Sequence, residues 1–436
     1  MKRIHYSWVI CFACSLLIFV TMGTASNSLS AFTPYIMESY GLTNAETSFL
    51  VTLRCAFALA AMFVVGVYYK WIGYRLGTGI AAILGGCSYL IYYFAGGYLE
   101  ICIGAVVAGI SYGLGTMIPV SILINNWFVR HKALAVGICS AGSGIAVIIV
   151  PPIVTGIILS TSLRAAFLVT ACALFAAALL ILLLIRTDPS DMNMKPLGYE
   201  DVDGNEAHDQ DARNIQNVEN NQNILNDPVK TGKTGKTGNT EKTSPENHHS
   251  REFTRTSRML ILVVCAIMGA LANPGFMHLS VLYTSEGYPS MMVAALISII
   301  GFVLTAGKII YGEVTDRLGG YVTTLIFFGI FTLANITCSM AGLGSNLLAV
   351  LGVILYGIGS SSCTVGIPVW AGDLDRRERF ASNVRHMQIT YAAGAMVFAS
   401  APGIIADHFG SYEPYYGIFA LLTFFATICI VIAYRK

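Results

Sequence analysis

The sequence predicts an all-α membrane protein of twelve transmembrane helices in two pseudo-symmetric six-helix bundles. Its composition, the length of its apolar runs and an internal repeat all point that way. Of 436 residues, 55% are hydrophobic and only 11% charged, where a soluble domain carries about 25% charge. The apolar runs reach roughly 20 residues, enough for a helix rising 1.5 Å per residue to cross about 30 Å of hydrocarbon.

Breaks in the hydropathy give spans at 7–35, 46–69, 76–95, 99–125, 132–159, 163–186, 257–283, 290–314, 321–341, 346–371, 380–404 and 414–434. Lys2 and Arg3 would suit a secretory signal, but the run after them is long, lacks a small-residue cleavage site and precedes eleven more spans, so it reads as helix 1. Lys and Arg gather in alternate loops: Lys2 and Arg3, Lys70 and Arg75, Arg130 and Lys132, the central loop, Arg317, Arg376, Arg377 and Arg379, then Arg435 and Lys436. The opposite loops hold only Arg164. The positive-inside rule therefore puts both termini and the central loop in the cytoplasm, with the chain in the inner cell membrane.

Residues 187–256 are a long run of Asp, Asn, Gln, Thr, Gly and Lys without apolar periodicity, expected to be a disordered cytoplasmic linker. It divides an N-terminal bundle, 1–186, from a C-terminal one, 257–436. Within it, Thr231 to Thr240 reads TGKTGKTGNT, but the first Gly is misplaced for a phosphate loop and both flanks are polar. The net charge of +2 on scattered basic residues gives no nucleic-acid surface. Eleven cysteines at irregular spacing, with Cys11 and Cys14 the one C-x-x-C pair, read as small packing residues. No metal or other cofactor is expected. The spans hold neither H-E-x-x-H nor a carboxylate pair, which argues against an enzyme.

The two bundles repeat each other. Gly66-Val-Tyr-Tyr-Lys70-Trp-Ile-Gly73 aligns with Gly312-Glu-Val-Thr-Asp316-Arg-Leu-Gly319 at an offset of 246, and Ser111-Tyr-Gly-Leu-Gly115 aligns with Leu355-Tyr-Gly-Ile-Gly359 at 244. A duplicated six-helix unit is the arrangement in which many transporters hold substrate at the midplane and rock one half against the other.

The run Gly312, Asp316, Arg317, Gly319 resembles the G-x-x-x-D-R-x-G loop motif of the major facilitator superfamily. The first copy, with Gly66, Gly73 and Arg75, departs from it by placing Lys70 at the Asp position, which puts in question its half of the gating charge relay that the resemblance implies. More narrowly, Asn126-Trp-Phe-Val-Arg-His-Lys-Ala-Leu-Ala-Val-Gly137, Ala141-Gly-Ser-Gly144, Pro151-Pro152, Tyr6-Ser-Trp-Val9 and Arg186-Thr-Asp-Pro-Ser-Asp-Met-Asn-Met-Lys-Pro196 are similar to the oxalate/formate antiporter and monocarboxylate-porter-like branch. That resemblance implies a secondary transporter of small organic anions that works as a monomer among membrane lipid.

Ionisable groups inside the spans are few. An ionised side chain at mid-bilayer costs about 2.5–3.5 kcal/mol on insertion scales, so it marks a polar cavity. Helix 2 carries Arg54 and helix 8 carries Lys308, while no Asp or Glu lies in the middle of any span. The resulting positive field attracts a carboxylate. Lys308 stands eight residues before Asp316, where the resemblance implies a substrate-facing Arg; Lys gives up the planar two-pronged grip on a carboxylate. The alternatives are a Lys308 that snorkels to the interface and an Arg54 held in a structural bond.

His278 follows Asn273-Pro-Gly275, which should break helix 7 at a gate; it either meets substrate or makes a packing hydrogen bond. Tyr112, Tyr356 and Tyr391 suit an amphipathic cavity wall, and Asn27 in the polar run Thr24 to Ser30 suits it too, with packing roles as the alternative. Arg385 and His386 read as interfacial anchors. Leu304 occupies the position, one turn before Lys308, where the resemblance implies an acidic residue in proton symporters, so anion exchange or uniport competes with symport. Export of a larger amphipathic anion or drug is a second expectation, weakened because Pro151-Pro152 lacks the G-P-x-x-G-G surroundings of drug antiporters. A membrane anion sensor is a third, and the central loop offers it no folded output domain.

Overall fold

The computed structural model describes residues 5–27, 29–42, 44–199, 255–373, 379–399 and 401–435. Among these residues there is no β-strand, and twelve helices are long and apolar enough to span a membrane. In chain order they are α1 (Tyr6–Ala25), α2 (Phe49–Ile72), α3 (Tyr74–Phe94), α4 (Tyr98–Trp127), α5 (Lys132–Ser160), α6 (Leu163–Leu184), α7 (Arg255–Phe276), α8 (Ala295–Leu318), α9 (Gly320–Cys338), α10 (Asn346–Asp373), α11 (Phe380–Ala406) and α12 (Glu413–Arg435). Large apolar side chains such as Phe63, Leu347 and Leu421 stand exposed on the outer surface, a distribution suited to hydrocarbon.

Apolar burial cannot drive helices together inside lipid, so close packing has to. In the first half, Gly109 and Gly113 of α4 lie against the backbone carbonyls of Arg54 and Ala58 on α2. The second half pairs the equivalent helices through Gly307 of α8 and Gly357 of α10. Between the halves, Gly137 of α5 meets the carbonyl of Lys308, and Gly312 of α8 meets that of Ala133. The α5–α8 seam is thus the tightest contact that crosses from one half to the other.

The repeat extends to the defects. Regular helix in α4 stops at Leu114 and resumes at Met117, and in α10 it stops at Ser360 and resumes at Ser362. Gly115 and Ser361, which cap the first segments, are 246 residues apart, the offset of the loop motifs. Gly73 and Gly319, at that same offset, both take positive φ (78° and 81°) where a side chain would be strained.

Three expectations need correction. The first run is not one helix over 7–35: regular helix ends at Ile18, a π-helical turn covers Phe19–Asn27, and a separate helix occupies Leu29–Tyr40. Thr21 explains part of this, since its hydroxyl donates to the Leu17 carbonyl (2.9 Å) and the Gly115 carbonyl (2.8 Å), tying α1 to the break in α4. The helix of α7 is not broken at Asn273-Pro-Gly275. It runs from Arg255 to Ser285 with Pro274 inside, and the Tyr416 hydroxyl donates to the Gly275 carbonyl (2.8 Å), satisfying backbone near the proline.

The third correction concerns residues 187–199, which are ordered rather than part of a structureless linker. Asp188 and Asp191 form a capping box around a short 3-10 turn, Pro189–Met192. Leu197 then donates its N–H to the Trp127 carbonyl (3.0 Å) and accepts from Val129 (2.9 Å), strapping the chain across the α4–α5 turn. Buried Trp127 holds the start of the strap by donating its indole N–H to the Arg186 carbonyl (3.0 Å). Residues 200–254, including Thr231 to Thr240, lie outside the described residues, as do Arg376 and Arg377.

Candidate substrate cavity and gate

A cavity of about 100 Å³ lies between the halves, several times the roughly 10–15 Å³ that one water needs. Arg54 and Lys308 both line it, 5% and 3% exposed, with Tyr112 and Tyr391 in its walls. No acidic side chain lines it among the described residues. Phe276, Met22 and Val147 supply apolar surface.

Lys308 reaches out of its own half. From α8 its Nζ donates to the Ser143 hydroxyl (2.7 Å) and the Ser140 carbonyl (3.2 Å), both on α5. An ammonium has three N–H donors, so one remains for the cavity. Both acceptors are neutral, and the charge is solvated by the protein without being neutralised. Ser140 continues the network through its hydroxyl to Thr364 of α10 (3.2 Å). Sequence reasoning missed Ser140, Ser143 and Thr364. The one signal for Ser143 was its place in Ala141-Gly-Ser-Gly144, and a hydroxyl in an apolar helix commonly bonds only its own backbone.

Tyr356 and His278 do not join this cavity. Tyr356 is 1% exposed, donates its hydroxyl to the Leu271 carbonyl (3.1 Å) and sets its ring against Phe331; it braces α10 to α7. The ring Nδ1 of His278 lies 2.8 Å from the Pro274 carbonyl and the ring stacks on Tyr412. Helix 7 continues past the proline, and this carries His278 away from the cavity. Asn27 closes the π-helical turn, and its side chain lies outside the described residues.

Toward the end of the bundle that carries both termini, the cavity narrows to an alcove of about 10 Å³ bounded by Tyr112, Met117, Gln388 and Tyr391. Beyond it a larger cavity of about 500 Å³ is lined by Asn125, Lys132, Asp316, Asp373 and Phe380. Three helices, α4, α10 and α11, line all of this path. On α11, Tyr391 faces the central cavity and the alcove, Gln388 the alcove and Phe380 the outer cavity.

Asp316 latches that end. Its carboxylate accepts the backbone N–H groups of Ala133 (3.2 Å) and Leu134 (2.9 Å), the first turn of α5. Free N–H groups and the helix dipole make that turn a good partner for an anion, and its own N-cap, His131, offers no side-chain bond. Gly312 lets the two backbones approach. Arg317 pairs with Glu313 (2.6 Å) on the surface, and Arg75 donates Nε to the Leu182 carbonyl (2.9 Å). Gly66 is buried, whereas Lys70 is exposed and makes no hydrogen bond or ion pair among the described residues.

A family model described as Major Facilitator Superfamily matches residues 14–384. Monocarboxylate transporter 12 of Xenopus laevis is 23% identical over 444 residues, covering 98% of this chain and 88% of that protein. The Rattus norvegicus protein of that name is 24% identical over 347 residues, covering 73% of this chain and 64% of its own length. The hexuronate transporter of Escherichia coli is 27% identical over 169 residues, 37% of this chain and 38% of that protein. The chain thus spans less than two thirds of the length of the last two.

Among solved structures, the proton:xylose symporter XylE superposes with a TM-score of 0.66 at 14% identity, covering 97% of this chain and 94% of that one. FucP, in an outward conformation, gives 0.66 at 12% identity, covering 98% of each. At such identities the likeness is one of fold. Because the family match runs from α1 into α11 across both bundles, the chain belongs to the Major Facilitator Superfamily, a family of multi-pass membrane transporters and not of enzymes.

Proposed function

We propose that this protein carries a small organic anion, a mono- or dicarboxylate, across the inner cell membrane by alternating access, exchanging one anion for another. The observation that carries this reading is the pair Arg54 and Lys308, one from each half, at a single cavity with no acidic side chain in its lining among the described residues. A carboxylate there offers a charged acceptor to the free N–H of Lys308, and charge-assisted bonds are roughly twice as strong as neutral ones. The names of the relatives support it, since monocarboxylates and hexuronates both carry a carboxylate. A cavity of about 100 Å³ favours a small anion over an amphipathic drug.

Exchange is favoured over proton symport because no carboxyl group lines the cavity among the described residues. Leu304 faces the cavity one turn from Lys308, where a carboxyl group would be needed to couple protonation to loading. With the termini in the cytoplasm, as the distribution of Lys and Arg favours, the Asp316 latch closes the cytoplasmic side. Opening it means separating Asp316 from α5 and sliding the Lys308 side chain past Ser143, and substrate that takes over the ammonium eases the second step. The carrier acts as a monomer in lipid. Counterflow into proteoliposomes tests the reading: labelled carboxylate should enter only against unlabelled anion inside, and uptake of equal rate into empty vesicles would overturn exchange.

A further inference from the structure

The bond between Lys308 and Ser143 joins the two halves in the lining of the central cavity, and both residues are buried. The hydroxyl of Ser143 has its hydrogen committed elsewhere. It donates to the Ser140 carbonyl on its own helix (3.0 Å), and that carbonyl also accepts from Lys308 Nζ (3.2 Å). What Ser143 turns toward the ammonium, at 2.7 Å, is therefore a lone pair. With its proton spent on its own helix, this hydroxyl has no donor to offer a carboxylate. Its oxygen instead competes with a substrate oxygen for the same ammonium.

This contact lasts only while α5 and α8 lie together. The same two helices carry the Asp316 latch, and Gly137 brings the α5 backbone against the Lys308 carbonyl. Ser140 adds a second crossing between the halves through its hydroxyl to Thr364 of α10 (3.2 Å). Drawing α8 away from α5 at this level takes both acceptors from Lys308, and a buried ammonium without acceptors is costly. A carboxylate that moves with Lys308 removes the cost, because a charged acceptor holds an ammonium more strongly than a neutral hydroxyl does.

We infer that Ser143 is a positioning residue acting through Lys308: a neutral stand-in for the substrate carboxylate that holds the empty carrier closed at its terminus-bearing end and so enforces exchange. This rests on the carboxylate exchange reading of the cavity. The anion meets the remaining N–H of Lys308, then takes the bond that Ser143 held, and the ammonium leaves α5 with its new acceptor. The empty carrier has no acceptor to take along and stays docked. Ser143 thus opposes affinity and supports coupling, a pair of effects with opposite signs that neither a substrate contact nor a packing residue would produce.

Ser143→Ala and Ser143→Thr test this in the full-length protein. Acetate, lactate, oxalate and succinate are titrated for thermal stabilisation, and the acid that shifts the wild type most serves as probe. Ser143→Ala should lower the concentration for half-maximal stabilisation about fivefold, since Lys308 no longer has to leave the hydroxyl. In proteoliposomes it should raise uptake of the labelled probe into empty vesicles about tenfold, with counterflow changed by less than about threefold. Ser143→Thr keeps the hydroxyl and should behave like the wild type in both assays. Weaker binding by Ser143→Ala would make Ser143 a substrate contact, and unchanged binding would make it a packing residue; either overturns the inference. Tighter binding with strict exchange retained overturns the coupling role, as does a Ser143→Thr protein that matches Ser143→Ala. Wild-type uptake into empty vesicles as fast as counterflow would overturn the exchange reading and this inference with it. Stabilisation by none of the four acids would count against the anion reading itself.

Discussion

At the end of α2 the chain reads Gly66, Lys70, Gly73, and at the end of α8 it reads Gly312, Asp316, Gly319, with both turns made by a glycine at positive φ. The backbone is repeated and the chemistry is not. Asp316 accepts two N–H groups from α5 of the other half, whereas Lys70 at the equivalent place has no acceptor to offer a helix N-terminus. The cations differ in the same way. Arg54 sits on a helix that packs within its own half through Gly109 and Gly113, while Lys308 belongs to the α5–α8 seam and bonds across it. One half of the duplicated unit therefore carries the latch and the cross-link between bundles, and the other receives them.

The largest effect should come from the cations. Lys308→Ala is expected to weaken anion binding about a hundredfold, because it removes the charge and one member of the Ser143 contact. Arg54→Ala should cost a similar factor, and the double variant should lose little more, since one anion bridges both. Lys308→Arg should keep part of the affinity. Titration of thermal stabilisation measures all four; an Arg54→Ala protein that binds like the wild type would make the site one-sided and break the comparison at its centre.

A smaller effect is expected at the latch. Asp316→Asn keeps the shape but loses the charge facing the α5 N-terminus, a change of about 1 kcal/mol. It should open the terminus-bearing end more often, so a cysteine placed at Val136, which lines the outer cavity there, should alkylate about fivefold faster in proteoliposomes. Lys70→Asp would sharpen the contrast by giving the first half the acceptor it lacks. If α11 offers the partner that symmetry suggests, alkylation should slow.

The smallest effect separates wall from brace. Tyr356→Phe removes the bond to the Leu271 carbonyl and should lower stability by about 1 kcal/mol, with the concentration for half-maximal anion stabilisation unchanged within about twofold. Tyr391→Phe should do the reverse, moving the ligand midpoint and leaving the melting temperature. Identical behaviour of the two variants would remove the distinction between the tyrosines.

Much of the fold was legible because the relevant signals are local. Run length and a repeat at an offset of 246 residues each survive without knowledge of any contact. The two cavity cations were legible for the same reason, as an intramembrane charge is conspicuous wherever it points. The strap of residues 187–199 was hidden by its polar composition: its order comes from backbone bonds between Leu197 and the residues around Trp127, which composition does not report.

Side-chain direction was the part that only the tertiary structure decided. In water an apolar stripe tells which way a helix faces, but lipid and protein interior are equally apolar, so a membrane helix carries little such stripe. Tyr356 and Tyr391 therefore look alike in the chain, and so do Ser143 and the many serines that bond only their own helix. Helix packing turned Tyr391 and Gln388 to the path and Tyr356 to the backbone of α7. The sequence by itself determined a duplicated twelve-helix membrane protein with a cation in each half, and the close approach of helices at their glycines decided which polar groups meet.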